Sequence, residues 1–269
     1  MSHFPGVLDR QMKSRVTKQP QMKYAAIISM TSLLPVHACA AAVPGAPISA
    51  SASLAENELV VAANGATLHM KANGCSSFTD EIAVCNGRVQ LTIINSSANV
   101  NQVIRPSAVF ISNKYTLYAG PLTDGGVRGT YSFLLSDVNG DGNDDLVVWT
   151  GRDGGYGGPS FDVYLFNAAE HKYVHSQAYS DLTVGSAGLF TIENGKLKTI
   201  AKDGCCTHIF ETYQVESDEP KLVERVTEST SEGSDKISVK TERLIGDRMT
   251  IVSVEEKIGK NGAEEIEFH

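Results

Sequence analysis

The chain has 269 residues, 42% of them aliphatic, aromatic or Cys, enough for one large core or two small ones. Its formal charge is −8, but residues 1–40 hold five Lys/Arg and one acid, so the remainder carries 18 basic and 30 acidic residues, a net of −12. A surface of that sign argues against nucleic acid and anionic membrane as partners and favours a cationic one.

Residues 1–21 are polar and aperiodic, and we read them as a non-native or unstructured extension before a start at Met22. Residues 22–40 are a secretion signal: Met22-Lys23 is a short basic region, followed by an apolar run of about 12 residues, too short for a stable span. The exit has two readings. Ala38-Cys39-Ala40 fits signal-peptidase cleavage after Ala40; Val36-His37-Ala38-Cys39 is an imperfect lipobox with Cys39 as the lipidated residue. The expected location is therefore the periplasm, free or anchored by lipid to the outer membrane. Residues 41–55 are rich in Ala, Pro and Ser, lack charge, and read as a tether.

Residues 56–269 read as an all-β domain of antiparallel sheets, propeller-like or sandwich-like, with room for a subdivision near residue 122. Short β-branched or alternating runs at 58–62, 67–71, 88–94, 107–112 and 115–118 are the first strands. Asn64-Gly65, Asn73-Gly74 and Asn86-Gly87 are turn dipeptides between them. Runs at 161–166, 189–192, 196–201 and 209–215 continue the pattern, and 236–242 and 249–255 alternate within the acidic tail. No segment carries a convincing helical stripe.

Residues 137–145 stand out. Asp137, Asn139, Asp141 and Asp145 place oxygen-bearing side chains at loop positions 1, 3, 5 and 9, and Gly142 sits at position 6. That is the first half of a calcium loop, with the backbone carbonyl of Asn143 as the position-7 ligand. An EF-hand would carry Glu at position 12 between helices; here position 12 is Val148, and the flanks at 131–135 and 146–150 are strand-like. The loop therefore joins two strands. Its hard oxygen ligands point to Ca²⁺ rather than Zn²⁺.

Directly after that hairpin, Gly154, Gly155, Gly157 and Gly158 surround one aromatic, Tyr156. A narrow loop of this kind can project the ring as a binding anchor with few rotors and one polar tip, with Arg152 and Asp153 as flanking rim charges. The plainer reading folds Tyr156 back onto the hairpin and leaves the glycines to serve turns.

Four cysteines outside the export region, Cys75, Cys85, Cys205 and Cys206, form an even set in an exported chain, so disulfides are the default. A local Cys75–Cys85 bridge with a vicinal Cys205–Cys206 bridge is one connectivity; the two crossed pairings remain open. Cys205, Cys206 and His208 make a poor tetrahedral set for zinc, and His171 and His175 read as solvated. No nucleophile elbow, P-loop or dinucleotide fingerprint occurs, so the chain reads as a non-enzyme.

The run from Asp137 to Tyr164, with Asp203-Gly-Cys-Cys-Thr-His208, Val103-Ile-Arg-Pro106 and Leu117-Tyr-Ala-Gly-Pro121, resembles a family of exported proteins of Xanthomonas-like bacteria. These are calcium-binding periplasmic lipoproteins that act as immunity proteins against peptidoglycan hydrolases delivered by a type IV secretion system. The resemblance implies a propeller-like β body and a mechanism related to periplasmic lysozyme inhibitors, which plug a glycosidase cleft with a loop. It implies a secreted peptidoglycan hydrolase as the partner. The competing reading is a calcium-stabilised extracytoplasmic binding or adhesion module of the integrin-propeller type. A single calcium loop speaks against that reading, since such propellers repeat it in several blades.

Overall fold

The structure, a computed structural model, describes residues 57–123, 129–230 and 235–258; the extension, export signal, tether and Cys39 lie outside them. Asn64-Gly65 turns β1 (Glu58–Ala63) back onto β2 (Ala66–Lys71). Both turn residues have positive φ, 48° and 79°, which is the twist a two-residue hairpin needs. β5 (Gln90–Asn95) and β6 (Val100–Ile104) complete a sheet of order β1-β2-β5-β6. Alternation puts Leu59, Val61, Leu68, Met70, Leu91 and Ile93 on its buried face, while Val60 and Ile94 face solvent. The strand expected from residue 88 begins only at Gln90, because Arg88 has φ 49°, outside the extended region. β6 went unpredicted, its apolar residues being interrupted by Asn101 and Gln102.

β3 (Cys75–Ser77), β4 (Ile82–Cys85) and β7 (Val109–Ser112) form a three-stranded sheet. Cys75 lies opposite Cys85 in the register, and a disulfide joins them.

The central layer contains β8 (Leu117–Ala119), β9 (Phe133–Ser136), β10 (Asp145–Gly151), β11 (Ser160–Asn167) and β12 (Lys172–Ser176), in the order β12-β11-β10-β9-β8. β8 and β9 pair in parallel and the other neighbours antiparallel. Both faces of this sheet are covered. Phe133, Leu135, Leu146 and Val148 pack with the β1-β2-β5-β6 sheet in one cluster. Leu134, Val147, Trp149 and Val163 pack in a second cluster with Phe110, Tyr179, Phe190 and Leu197. Double burial is why 146–149 is a continuous apolar run rather than an alternating one. Each cluster takes side chains from both sides of residue 122.

A five-residue helix, α1 (Gln177–Asp181), follows β12, capped by the Ser176 hydroxyl. Beyond the end of β12, hydroxyls replace its backbone as partners for β11: Ser180 Oγ accepts from the Val163 N–H and Thr183 Oγ1 from the Phe161 N–H, each at 2.9 Å. β13 (Thr191–Glu193), β14 (Lys196–Lys202), β15 (Thr207–Glu216), β16 (Glu219–Thr230), β17 (Lys236–Ile245) and β18 (Arg248–Ile258) then run as one antiparallel meander. The acidic tail supplies its last three strands, and β18 is the mostly exposed edge. The fold is an all-β, sandwich-like assembly of four sheets, and among the described residues no sheet closes into a barrel.

Candidate functional site

The acidic loop connects β9 to β10 at a register that pairs Ser136 with Asp145. Asp137 organises its first turn. Its Oδ1 accepts from the N–H groups of Gly140 at 2.7 Å and Asp141 at 3.1 Å, and its Oδ2 from Gly142 at 2.9 Å. Asn139 Oδ1 accepts from Asp141 N, and Asp141 Oδ1 from Asn143 N at 2.8 Å. Gly140 and Gly142 have φ of 81° and 88°, the left-handed backbone that winds the loop. Asp145 is fully buried, with Oδ2 accepting from Val138 N at 2.9 Å and Oδ1 from Phe166 N at 2.8 Å. Burial pushes its carboxyl up to about 7; the two backbone N–H groups oppose that rise, and the nearby charges of Asp141 and Asp137 add to it.

Among the described residues no three His, Cys, Asp or Glu side chains gather into a group that would hold a metal ion. The donor set itself suits a hard cation: three carboxylates, one amide oxygen and one backbone carbonyl. Each oxygen of Asp145 accepts a single N–H, as does Asp137 Oδ2, and so retains a lone pair. Two hairpin turns reach this loop. Asn64 Nδ2 donates to Asp144 Oδ2 at 2.9 Å, and Asn139 Nδ2 to Asp218 Oδ1 at 3.2 Å.

The glycine-rich loop leaves β10 at Gly151 and re-enters at β11, with a 3-10 turn over Gly155–Gly157. Its backbone is cross-braced: Gly157 N donates to Gly154 O, Gly158 N to Gly155 O, and Gly154 N to Gly158 O. Gly154 is required by space, since a Cβ there would lie 2.5 Å from the Pro159 carbonyl oxygen. The loop also rests on residues 185–186, where Gly155 N donates to Ser186 O at 2.6 Å and Gly185 N to Asp153 O at 2.7 Å. Arg152 folds back along the loop. Its Nε donates to Gly157 O at 2.7 Å, and its guanidinium lies over the Phe78 ring at 4.9 Å. Asp153 Oδ2 accepts from Ser160 Oγ. Arg152 and Asp153, expected as rim charges, therefore hold the loop together as well.

Tyr156 stands at the tip with φ 55° and is 72% exposed. Its hydroxyl donates to the carbonyl of Gly204, in the turn that carries the bonded Cys205–Cys206 pair. Two stretches that stand out separately in the sequence thus meet in space. His171 Nδ1 lies 2.9 Å from the Ala98 carbonyl, and His175 packs edge-on against Tyr164; both lie in the β11–β12 hairpin, away from the cysteines in sequence.

No protein-family model and no curated protein sequence matches the chain. A solved structure does, described as that of a Xanthomonas type IV secretion system related protein. Identity is 37%, the match covers 76% of this chain and 97% of the other, and the TM-score is 0.71. The chain belongs to the family of that Xanthomonas protein.

Several members of this candidate site carried no signal in this family member's sequence. Phe78 is a half-exposed aromatic at the tip of the β3–β4 hairpin, and Ser186 and Gly204 contribute only carbonyls. A carbonyl has no residue identity, so pattern reading cannot find it. Asp218 lies 79 residues from its partner Asn139 and reads as an ordinary turn acid. Among the described residues no helix is long and apolar enough to cross a membrane.

Proposed function

We propose that this chain is a periplasmic immunity protein that binds a secreted peptidoglycan glycoside hydrolase and blocks its active-site cleft with the Tyr156 loop. The observation that carries this reading is the pose of Tyr156: an exposed ring on a narrow, cross-braced glycine loop, with its hydroxyl tied to a second turn. Glycan hydrolases work through paired carboxylates at the floor of a cleft that admits a sugar chain. A narrow rigid loop enters such a cleft where a flat sheet face does not. The ring fills a sugar subsite, and the hydroxyl, which keeps its bond to the Gly204 carbonyl, presents its oxygen to the protonated catalytic carboxyl group. The protein's role is to stop a reaction, not to catalyse one.

Calcium belongs to this proposal as a structural ion. Asp137, Asn139, Asp141, the Asn143 carbonyl and Asp145 would hold it, and it would supply positive charge against the three carboxylates at the root of β10. The Tyr156 loop grows from the other end of β10, so bracing that strand limits rearrangement of the loop. Export to the periplasm, with Cys39 as a lipid anchor to the outer membrane, places the protein where an incoming hydrolase would act.

The test is inhibition of peptidoglycan hydrolases encoded beside the gene. Tyr156→Ala is expected to weaken inhibition roughly thirtyfold or more, the loss of about 2 kcal/mol typical of a central aromatic anchor. Its thermal unfolding should stay close to wild type. The reading fails if the variant inhibits as well as wild type, or if the wild-type protein inhibits none of these enzymes.

A further inference from the structure

The loop that presents Tyr156 and the turn that carries the vicinal disulfide come from different sheets, separated by 48 residues in the chain. Tyr156 sits in the left-handed region at φ 55°, which a side-chain-bearing residue adopts at a cost of about 1–2 kcal/mol, so something must hold it there. Within the loop, the backbone bonds of the neighbouring glycines and the Arg152 Nε bond to the Gly157 carbonyl brace its backbone. Beyond the loop, the Tyr156 side chain is itself held by the hydroxyl bond to Gly204.

That carbonyl is itself held in place. Gly204 has φ 71°, a conformation strained for any residue with a Cβ. Next to it the Cys205–Cys206 bond closes a small ring around one peptide unit and removes the freedom of the turn. The turn is rooted on both sides: Asp203 N donates to Thr207 O at 3.0 Å, and Thr230 N on β16 donates to Cys206 O at 2.9 Å. The floor of the Tyr156 loop shares the same foundation. Ser186, which accepts from Gly155 N, bridges to Ala201 on β14, and Ala187 N donates to Ile200 O at 2.7 Å. β14 leads directly into the disulfide turn.

We infer that the Gly204–Cys205–Cys206 turn is the second half of the partner-binding surface, and that its disulfide is a positioning element that holds Tyr156 in its exposed pose. Gly204 and Cys205 are exposed, so a partner that receives Tyr156 meets the disulfide beside it. As to the partner, the inference rests on the hydrolase reading above: the surface is an aromatic tip flanked by a compact sulfur-bearing turn with the exposed Asp203 at its edge, suited to the lip of a sugar-binding cleft. As to the positioning, it rests on the geometry alone.

The experiment reads loop order without any partner first. Amide hydrogen–deuterium exchange at Gly155, Gly157 and Gly158 is measured by NMR in wild type, Tyr156→Phe, the double variant Cys205→Ser/Cys206→Ser, and the triple variant. Exchange should rise about five- to tenfold in each of the first two variants, the scale of one lost hydrogen bond, and no further in the triple variant. A disulfide that only stabilises its own turn would leave the Tyr156→Phe effect intact, so that the two would multiply; such additivity overturns the inference, as does unchanged exchange. Should the serine variant not fold, Tyr156→Phe alone decides, because the contact is reciprocal: the Asp203 and Thr230 amides, whose bonds close the disulfide turn, must then exchange faster too, and unchanged exchange there overturns the inference. The binding arm uses whichever hydrolase the Tyr156→Ala test identifies, and the same non-additivity is expected in its affinity. Coupled exchange with no hydrolase inhibited leaves the positioning role standing and removes the inhibitor reading; inhibition without coupled exchange does the reverse.

Discussion

Two aspartates of one loop do different work. Asp141 is exposed, and its carboxylate accepts only from the backbone and side chain of Asn143. If it serves as a calcium ligand, Asp141→Ala lowers the melting temperature in millimolar calcium and hardly changes it in chelator, because an ion that binds only the native state stabilises by mass action. Equal losses in both conditions would remove the metal from the account. Asp145 is a structural acceptor regardless of metal, since it is buried and takes the Val138 and Phe166 N–H groups. Asp145→Ala leaves both donors without a partner in the core, at roughly 1–3 kcal/mol each. Relief of the buried carboxylate offsets part of that. We expect a net loss of about 2–4 kcal/mol in chelator as well as in calcium, read from denaturant unfolding.

At the scale of elements, the two bridges and the glycine loop can be tested separately. Cys75 and Cys85 face each other across β3 and β4 and close a ten-residue separation. Cys75→Ser/Cys85→Ser should cost about 2–3 kcal/mol, mostly by freeing the unfolded chain. Alkylation of the denatured, unreduced exported protein should leave all four of these cysteines unmodified by mass spectrometry; labelled Cys205 and Cys206 would reopen a thiol role for that turn. In the loop, Gly154→Ala drives a methyl group into the Pro159 carbonyl. The backbone must shift, costing about 1–3 kcal/mol, and thermal unfolding should show it.

For the whole molecule, charge sets the terms of association. Beyond residue 40 the chain carries a net of −12, so a basic hydrolase would be drawn to it at a distance. Association rates with such a partner should fall steeply as salt rises, while dissociation changes little, because steering acts through the screened long-range field and not through the buried anchor. Stopped-flow binding across an ionic-strength series checks this; a salt-independent association rate would take steering out of the account. The doubly covered central sheet is the rigid body behind this encounter, with the acidic loop at one end of β10 and the Tyr156 loop at the other.

By itself the sequence determined the all-β class, the strand–loop–strand setting of residues 137–145 and the narrowness of the 154–158 loop. These follow from local chemistry: periodicity of two, oxygens at every second position, glycine where a Cβ has no room. It also marked the local partnership of Cys75 with Cys85 as one option, and the structure selected it together with the vicinal pair. Only the tertiary structure decided what lies opposite what. The sandwich-like layering arises because 146–149 is apolar on both faces, which a linear reading cannot assign to two different clusters. β6 and β12 were invisible because pairing with neighbours, not their own composition, makes them strands. The bond from Tyr156 to Gly204 was equally out of reach. Its acceptor is a backbone carbonyl, identical in every residue, and only the folding of β14 back beside the glycine loop brings it there.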